Sequence, residues 1–236
     1  MNLKISNIFL SYFENLDRIC LPDFVPQIED ILRVRKATTD ILDYTFDIKG
    51  TTFQFLDVGG QRSERRKWVN CFENITSMLY ITSLSDYDLD ITEDELKLSN
   101  TSSSVKINRM KESIDLFHTI MKWKKKEFQP ENAESKKPVK DSLLFEDVAI
   151  ILFLNKIDLF ADKFHQSSLK TCFPDYEDCS MDDSKNFVAN KFLGNERKDN
   201  TYHHFTYALD TKHVEVVISV VKDTILQTLA KSMALF

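Results

Sequence analysis

Apolar and polar residues follow two different patterns along the chain, and the first pattern ends near residue 58. Residues 3–19 carry apolar side chains at the spacing of an amphipathic helix, and Pro22 ends that pattern. A second short helix is predicted after Pro26. Residues 41–48 and 51–58 then alternate and are rich in β-branched and aromatic side chains. This alternation predicts two strands joined as an antiparallel hairpin.

Beyond residue 58, short apolar segments alternate with segments of helical spacing. This order is typical of a parallel sheet flanked by helices, so we predict an α/β fold. Two polar stretches, 97–104 and 124–141, interrupt the pattern. We expect solvated surface insertions there, with a lipid-binding or partner-binding patch as the alternative. The predicted strands are 77–84, 148–154 and 203–209, and the predicted helices are 62–74, 105–124, 182–197 and 212–230.

The composition narrows the classes of function. The 236 residues are 42% hydrophobic and include 18 Phe, which is ample apolar material for a packed core. A formal net charge of −6 provides no positive field that would concentrate nucleic acid, so we expect no nucleic-acid partner. The four cysteines form no C-x-x-C pair, which fits a reducing compartment and argues against a structural zinc.

The most specific local signal is Asn155-Lys156-Ile157-Asp158, directly after a strongly apolar predicted strand. A carboxylate at this position can accept two parallel hydrogen bonds from guanine, which adenine cannot supply. Asn155 can tie neighbouring loops together, and Lys156 can lie along the base. The backbone N–H of Ala208, after the next strand, can meet the guanine carbonyl because both loops follow carboxyl ends of strands. A solvated polar loop is the alternative interpretation.

A second group is Asp57-Val58-Gly59-Gly60-Gln61, at the end of a predicted strand. Asp57 can hold Mg²⁺ through water, because Mg²⁺ favours oxygen ligands and keeps part of its hydration shell. Gly60 has no Cβ to obstruct a phosphate, and Gln61 can orient an attacking water. A tight turn with a helix cap is the alternative.

A third group lies in the basic segment before the hairpin. The hydroxyl of Thr38 can ligate Mg²⁺, and Arg35 can place a planar, permanently charged fork on charge that develops during phosphoryl transfer. Solvated surface is the alternative for basic residues in a loop. The candidate phosphate-side residues are Leu32, Arg33, Val34, Arg35, Lys36, Ala37 and Thr38.

Taken together, these motifs resemble the α subunit of heterotrimeric G proteins. The resemblance runs from about Tyr12 to the last residue. It is carried by Asp30-Ile31-Leu32-Arg33-Val34-Arg35 with Thr38-Thr39, by residues 55–68 and 84–88, by residues 153–160, and by Ala208, Asp210 and Thr211.

The resemblance implies a Ras-like GTPase that binds GTP or GDP with Mg²⁺. Arg35 and Gln61 match the family's catalytic residues, and Thr38 and Asp57 match its magnesium site, Asp57 through water. Residues at positions of the guanine site and the switch that senses the terminal phosphate are Asp57, Val58, Gly59, Gly60, Gln61, Asn155, Lys156, Ile157, Asp158 and Ala208.

The resemblance also implies partners and a location. It implies a βγ dimer, an effector at the helix that begins at Arg62, and a G protein-coupled receptor at the terminal Leu235-Phe236. Plain core is the alternative for Trp68 in that helix. No membrane-span-length apolar run and no lipidation or secretory signal is visible. We therefore expect a cytoplasmic chain held at the inner face of the plasma membrane by its partners.

One family element is missing from the sequence, because no G-x-x-x-x-G-K-[ST] occurs in it. We therefore expect a truncated Ras-like P-loop GTPase sheet that lacks the first strand and the phosphate loop. Residues 1–30 would be a remnant of the helical domain and residues 31–236 an incomplete GTPase domain. Its sheet would have a gap between the strand ending at Val58 and the strand beginning near Ser77. Such a chain would bind GTP weakly or not at all, and a truncated module that binds receptor, effector or βγ without nucleotide is the alternative function.

Overall fold

The computed structural model describes residues 7–34, 36–72, 75–91, 106–125, 143–194 and 200–234. It divides the chain into two compact units, Met1–Thr39 and Asp40–Phe236. The division follows residue 39, whereas the sequence suggested a boundary after residue 30. The predicted insertion 97–104 lies outside the described residues, as does nearly all of 124–141.

The first unit contains three short helices: α1 (Asn7–Glu14), α2 (Leu16–Ile19) and α3 (Ile28–Arg33). The single helix predicted over 3–19 is interrupted at Asn15, whose φ of −106° and ψ of 13° are not helical. The helix predicted after Pro26 is confirmed as α3.

A bidentate ion pair between Arg18 and Asp30 stabilises this unit. The guanidinium of Arg18 donates to the two carboxylate oxygens of Asp30 at 2.8 and 2.7 Å. The Arg18 hydrogen bonds, together with the backbone N–H of Gln27, lower the pKa of Asp30 to about 2. Asp30 therefore stays ionised and holds the start of α3 against the segment that carries Arg18.

The second unit begins with the predicted hairpin, formed by β1 (Leu42–Ile48) and β2 (Thr51–Asp57). Leu42 pairs with Asp57, and Ile48 pairs with Thr51. Lys49 and Gly50 link the strands with φ values of 51° and 73°, so both turn residues are left-handed. A two-residue turn of this kind matches the twist of the strands it joins, which confirms the hairpin.

A parallel sheet in the order β3–β4–β5 forms the centre of the second unit. Its strands are β3 (Ser77–Ser83), β4 (Ala149–Asn155) and β5 (Thr201–Thr206). The central strand β4 is buried from its first residue to Leu154, which explains its unbroken apolar sequence. The strand predicted over 203–209 starts and ends earlier than expected, so Ala208 lies in the following loop.

Four α-helices and three short 3₁₀-helices complete the second unit in its described part. The helix predicted over 62–74 is wrong in type and length, because the chain forms a 3₁₀-helix there. The helix after β4 was not predicted. The α-helices are α4 (Arg109–Met121), α5 (Ile157–Phe164), α6 (Met181–Leu193) and α7 (Thr211–Ala234), and the 3₁₀-helices are Arg65–Asn70, Leu84–Asp88 and Leu169–Thr171.

Both faces of the parallel sheet are covered. On one face Ile150, Leu152 and Leu154 join a large apolar core with α4, α5 and α6. On the other face Ile151 and Phe153 pack against Val217 and Val221 of α7. This arrangement confirms an α/β fold with a parallel sheet and helices on both faces.

The hairpin and the parallel sheet are separate hydrogen-bonded sheets. In the described residues no ladder joins β2 to β3. The hairpin is attached instead to α7. Lys222 Nζ donates to the carbonyl of Ile48 at 3.0 Å, and Lys49 Nζ donates to Ser219 Oγ at 2.8 Å.

Candidate functional site

The Asn155–Asp158 segment lies where the sequence places it, between the buried strand β4 and helix α5. Lys156 adopts a left-handed conformation with φ of 64° and turns the chain from the strand into the helix. Its side chain is exposed, whereas Asn155, Ile157 and Asp158 are half-buried. The loop therefore presents one exposed lysine stem beside partly enclosed polar groups at the carboxyl edge of the sheet.

The Asp158 carboxylate carries an unsatisfied acceptor. Its Oδ1 atom is buried and has no hydrogen-bond partner in the described part of the chain. Buried acceptors normally have a donor, because an unpaired one costs about 1–3 kcal/mol. Asp158 also lies in the first turn of α5, where the helix dipole favours an anionic group. Among the described residues, no group supplies the donor that this buried oxygen needs.

Asn155 joins the loop after β4 to the loop after β5. Thr206 Oγ1, at the end of β5, donates to Asn155 Oδ1 at 3.1 Å. The following turn is held by the backbone N–H of Asp210, which donates to the carbonyl of Tyr207 at 3.1 Å. Ala208 is exposed inside that turn. The structure thus brings Asn155, Asp158 and Ala208 to the carboxyl edge of one sheet.

The segment from Asp57 to Gln61 leaves β2 and enters an irregular turn. Asp57, Gly60 and Gln61 are exposed, Val58 is half-buried, and Gly59 is buried. A Cβ atom at Gly60 would meet no protein atom within 4 Å, so the space beside this glycine is open. Open space next to a main chain without a side chain is compatible with the close approach of a phosphate.

An ion-pair cluster that the sequence did not reveal fixes this turn to α4. Arg65 Nη1 lies 2.7 Å from Glu112 Oε1, and Arg62 Nε lies 3.2 Å from the same oxygen. Arg65 Nε also donates to the carbonyl of Gly60 at 3.2 Å. Burial raises the pKa of Glu112, but the hydrogen bonds and charges of Arg65 and Arg62 outweigh it and the pKa is lowered. Nothing in the spacing of these residues indicates which acid pairs with which arginine.

Trp68 belongs to the core and not to an exposed partner surface. Its side chain is 6% exposed, and Nε1 donates to the carbonyl of Gly59 at 2.8 Å. Its ring packs edge-on against Phe72 and Trp123 at centroid distances of 6.2 and 6.4 Å. The plain-core interpretation of this tryptophan is therefore confirmed. Its hydrogen bond also fixes the position of Gly59.

The phosphate-side candidates belong to the first unit. Leu32, Val34, Lys36 and Ala37 are exposed, Arg33 and Thr38 are half-buried, and Leu32 and Arg33 end helix α3. Arg35, the predicted catalytic arginine, lies outside the described residues, as do Leu235 and Phe236.

The predicted magnesium ligands, Thr38 and Asp57, fall in different units. In the described ranges no group of three or more His, Cys, Asp or Glu side chains is arranged to hold a metal ion. The magnesium site therefore stays a prediction.

The described ranges contain no helix that is both long and apolar enough to cross a membrane.

Comparison with known families agrees with the motifs. A family model for the G-protein alpha subunit matches residues 2–130 and 136–225. The matched ranges cover most of the chain and include Arg35, the Asp57–Gln61 turn and the Asn155–Asp158 loop. The chain therefore belongs to the G-protein alpha subunit family.

Proposed function

We propose that this chain binds a guanine nucleotide, GTP or GDP with Mg²⁺, and acts as a switch. In this role it transduces signals from G protein-coupled receptors and hydrolyses GTP. The observation that carries the proposal is the buried Oδ1 of Asp158, which has no partner in the described part of the chain. Family membership supports it, because guanine-nucleotide binding is the family's general property.

The residues at the edge of the sheet fit a guanine base. Guanine has a ring N–H and an amino group that point the same way, and a carboxylate can accept from both. The Asp158 acceptor needs such a donor. The hydrogen bond from Thr206 to Asn155 fixes the second loop, where the N–H of Ala208 would meet the guanine carbonyl. Adenine would leave the carboxylate unpaired and is selected against.

The residues proposed for the phosphate end of the site are assigned because they match positions of the family. Thr38 and Asp57 would hold Mg²⁺, Asp57 through water, and the bound ion would neutralise phosphate charge. Gln61, which is exposed, would orient water, and Arg35 would stabilise charge on the phosphates. The open space at Gly60 supports this assignment.

The partners are also proposed from the family resemblance: a βγ dimer, an effector at residues 62–68, and a receptor at the C-terminal tail. These contacts would bring the chain to the inner face of the plasma membrane.

The second candidate function is a module that binds receptor, effector or βγ without nucleotide. The observation in its favour is that no G-x-x-x-x-G-K-[ST] phosphate-binding sequence occurs in the 236 residues. In such loops, backbone N–H groups and a lysine hold the phosphates. Without such a loop, these phosphate contacts would not contribute to the affinity for nucleotide.

Equilibrium binding of fluorescent GDP and ADP analogues to the purified chain tests the proposal. The wild type should prefer GDP. Asp158→Asn should reduce that preference about 5- to 150-fold, the range set by one lost buried hydrogen bond. Asparagine presents an amide donor, so this variant should gain affinity for xanthosine diphosphate, which has a carbonyl where guanine has its amino group.

Asp162→Asn is the matched control, because Asp162 lies on the same helix and is exposed. It should bind GDP like the wild type. Equal binding of GDP and ADP by the wild type would overturn the guanine site. No nucleotide binding, with retained capture of a βγ dimer, would favour the module.

A further inference from the structure

An ion pair with a buried carboxylate joins α5 to the 3₁₀-helix Leu84–Asp88. Lys163 Nζ lies 2.8 Å from Asp88 Oδ1 and donates to the carbonyl of Ser85 at 3.0 Å. The Asp88 side chain is 6% exposed and the Lys163 side chain 27% exposed. Water therefore screens this attraction only weakly, and removal of the lysine would take away a cation that stabilises the buried Asp88 carboxylate.

Two further contacts join this 3₁₀-helix to α5 and to the segment that follows α5. Tyr87 packs edge-on against Phe160 with ring centroids 5.8 Å apart, and both side chains are fully buried. Tyr87 Oη also donates to the carbonyl of Ser167, just beyond the end of α5, at 2.9 Å. Residues that directly follow strand β3 thus contact α5 at Phe160 and Lys163, and contact the segment after α5 at Ser167.

Helix α5 carries Asp158 in its first turn and Lys163 in its last turn. A short helix moves as a rigid body, so a shift at Lys163 displaces the carboxylate of Asp158 at the other end. Two parallel hydrogen bonds to a base tolerate displacements of only about 0.5 Å. The position of α5 therefore decides whether the Asp158 carboxylate can accept both hydrogen bonds from a base.

We propose that Lys163 is a positioning residue. Through its ion pair with Asp88 it fixes α5, and thereby places the Asp158 carboxylate where it selects guanine over adenine. This inference rests on the guanine site proposed above, and it assigns the selectivity of that site in part to a residue that does not contact the base.

The test compares Lys163→Met with Lys170→Met in the full chain. Methionine keeps most of the aliphatic stem and removes the charge. Lys170 forms an ion pair of the same 2.8 Å length with Asp178, but those side chains are 52% and 71% exposed. One measurement is the ratio of GDP to ADP affinity, and the other is hydrogen–deuterium exchange over residues 155–164.

Lys163→Met should lower the affinity ratio about tenfold, the effect of weakening one hydrogen bond to a charged group. It should also speed exchange at the start of α5. Lys170→Met should change neither quantity. Lys163→Arg keeps the cation and should restore much of the ratio, which a general packing defect would not predict.

A second variant separates positioning from stability. Asp88→Asn combined with Lys163→Met removes both charges of this ion pair, so part of the thermal stability lost in Lys163→Met should return while the affinity ratio stays low. A wild-type ratio in folded Lys163→Met, even at reduced stability, would overturn the inference and leave the guanine site intact. A wild type without preference for GDP would overturn the guanine site and this inference with it.

Discussion

Removal of the charge on Glu112 tests whether the arginine cluster holds the turn after β2. The change is Glu112→Gln, which keeps the size of the side chain and an acceptor oxygen. In the wild type, both Arg65 and Arg62 donate to Glu112 Oε1, at 2.7 and 3.2 Å. The Glu112 side chain is 18% exposed, and the two arginines are 23% and 29% exposed.

The magnitude follows from the kind of bonds lost. Hydrogen bonds to charged groups contribute about 1.5–3 kcal/mol each, and neutral ones about 0.5–1.5 kcal/mol. The two bonds share one oxygen and partly screened partners, so they do not add. We therefore expect Glu112→Gln to lower the free energy of unfolding by about 1–2 kcal/mol.

Urea unfolding followed by fluorescence measures this change. At an m-value of about 2–3 kcal/mol/M, the midpoint should fall by roughly 0.5 M at pH 7. Glu215→Gln is the control, since Glu215 is an exposed glutamate on α7, and its midpoint should stay near that of the wild type.

The stability difference should also depend on pH. Because the pKa of Glu112 is lower in the folded state than in the unfolded state, its contribution is complete above about pH 4.3. It is lost as the pH falls through the folded-state pKa, where the wild type and Glu112→Gln should converge. Equal midpoints at pH 7, or a difference that persists in acid, would refute the reasoning.

Two further predictions concern packing and backbone conformation. Val188→Ala removes a fully buried side chain and should cost about 2 kcal/mol by urea unfolding, whereas Val216→Ala, at 66% exposure on another helix, should cost almost nothing. Equal costs would contradict the assignment of the core. Gly50→Ala places a Cβ at φ of 73° and should cost about 1 kcal/mol, whereas Gly60→Ala, with open space around it, should leave the unfolding midpoint nearly unchanged. The reverse order would contradict the turn.

Local patterns were sufficient for most of the strands and for the position of the Asn155–Asp158 loop. The alternation over 41–58 located both strands of the hairpin, because successive side chains of a strand point to opposite faces of the sheet. The apolar run before Asn155 located β4, because a strand covered on both faces has no polar side to show. The spacing of apolar residues over 62–74 predicted the wrong element, because Trp68 packs in the core and the chain forms a 3₁₀-helix there.

By itself the sequence determined the α/β class, the hairpin and the positions of Asn155 and Asp158, because these depend on neighbours along the chain. Only the tertiary structure decided the contacts between distant residues. Arg65 and Glu112 are 47 positions apart, and Asn155 and Thr206 are 51 apart. Lys163 meets Asp88 across 75 positions, and no local pattern specifies that pair. Such contacts form only when packed elements bring the side chains together, which is why the buried unpaired acceptor of Asp158 became visible only in the fold.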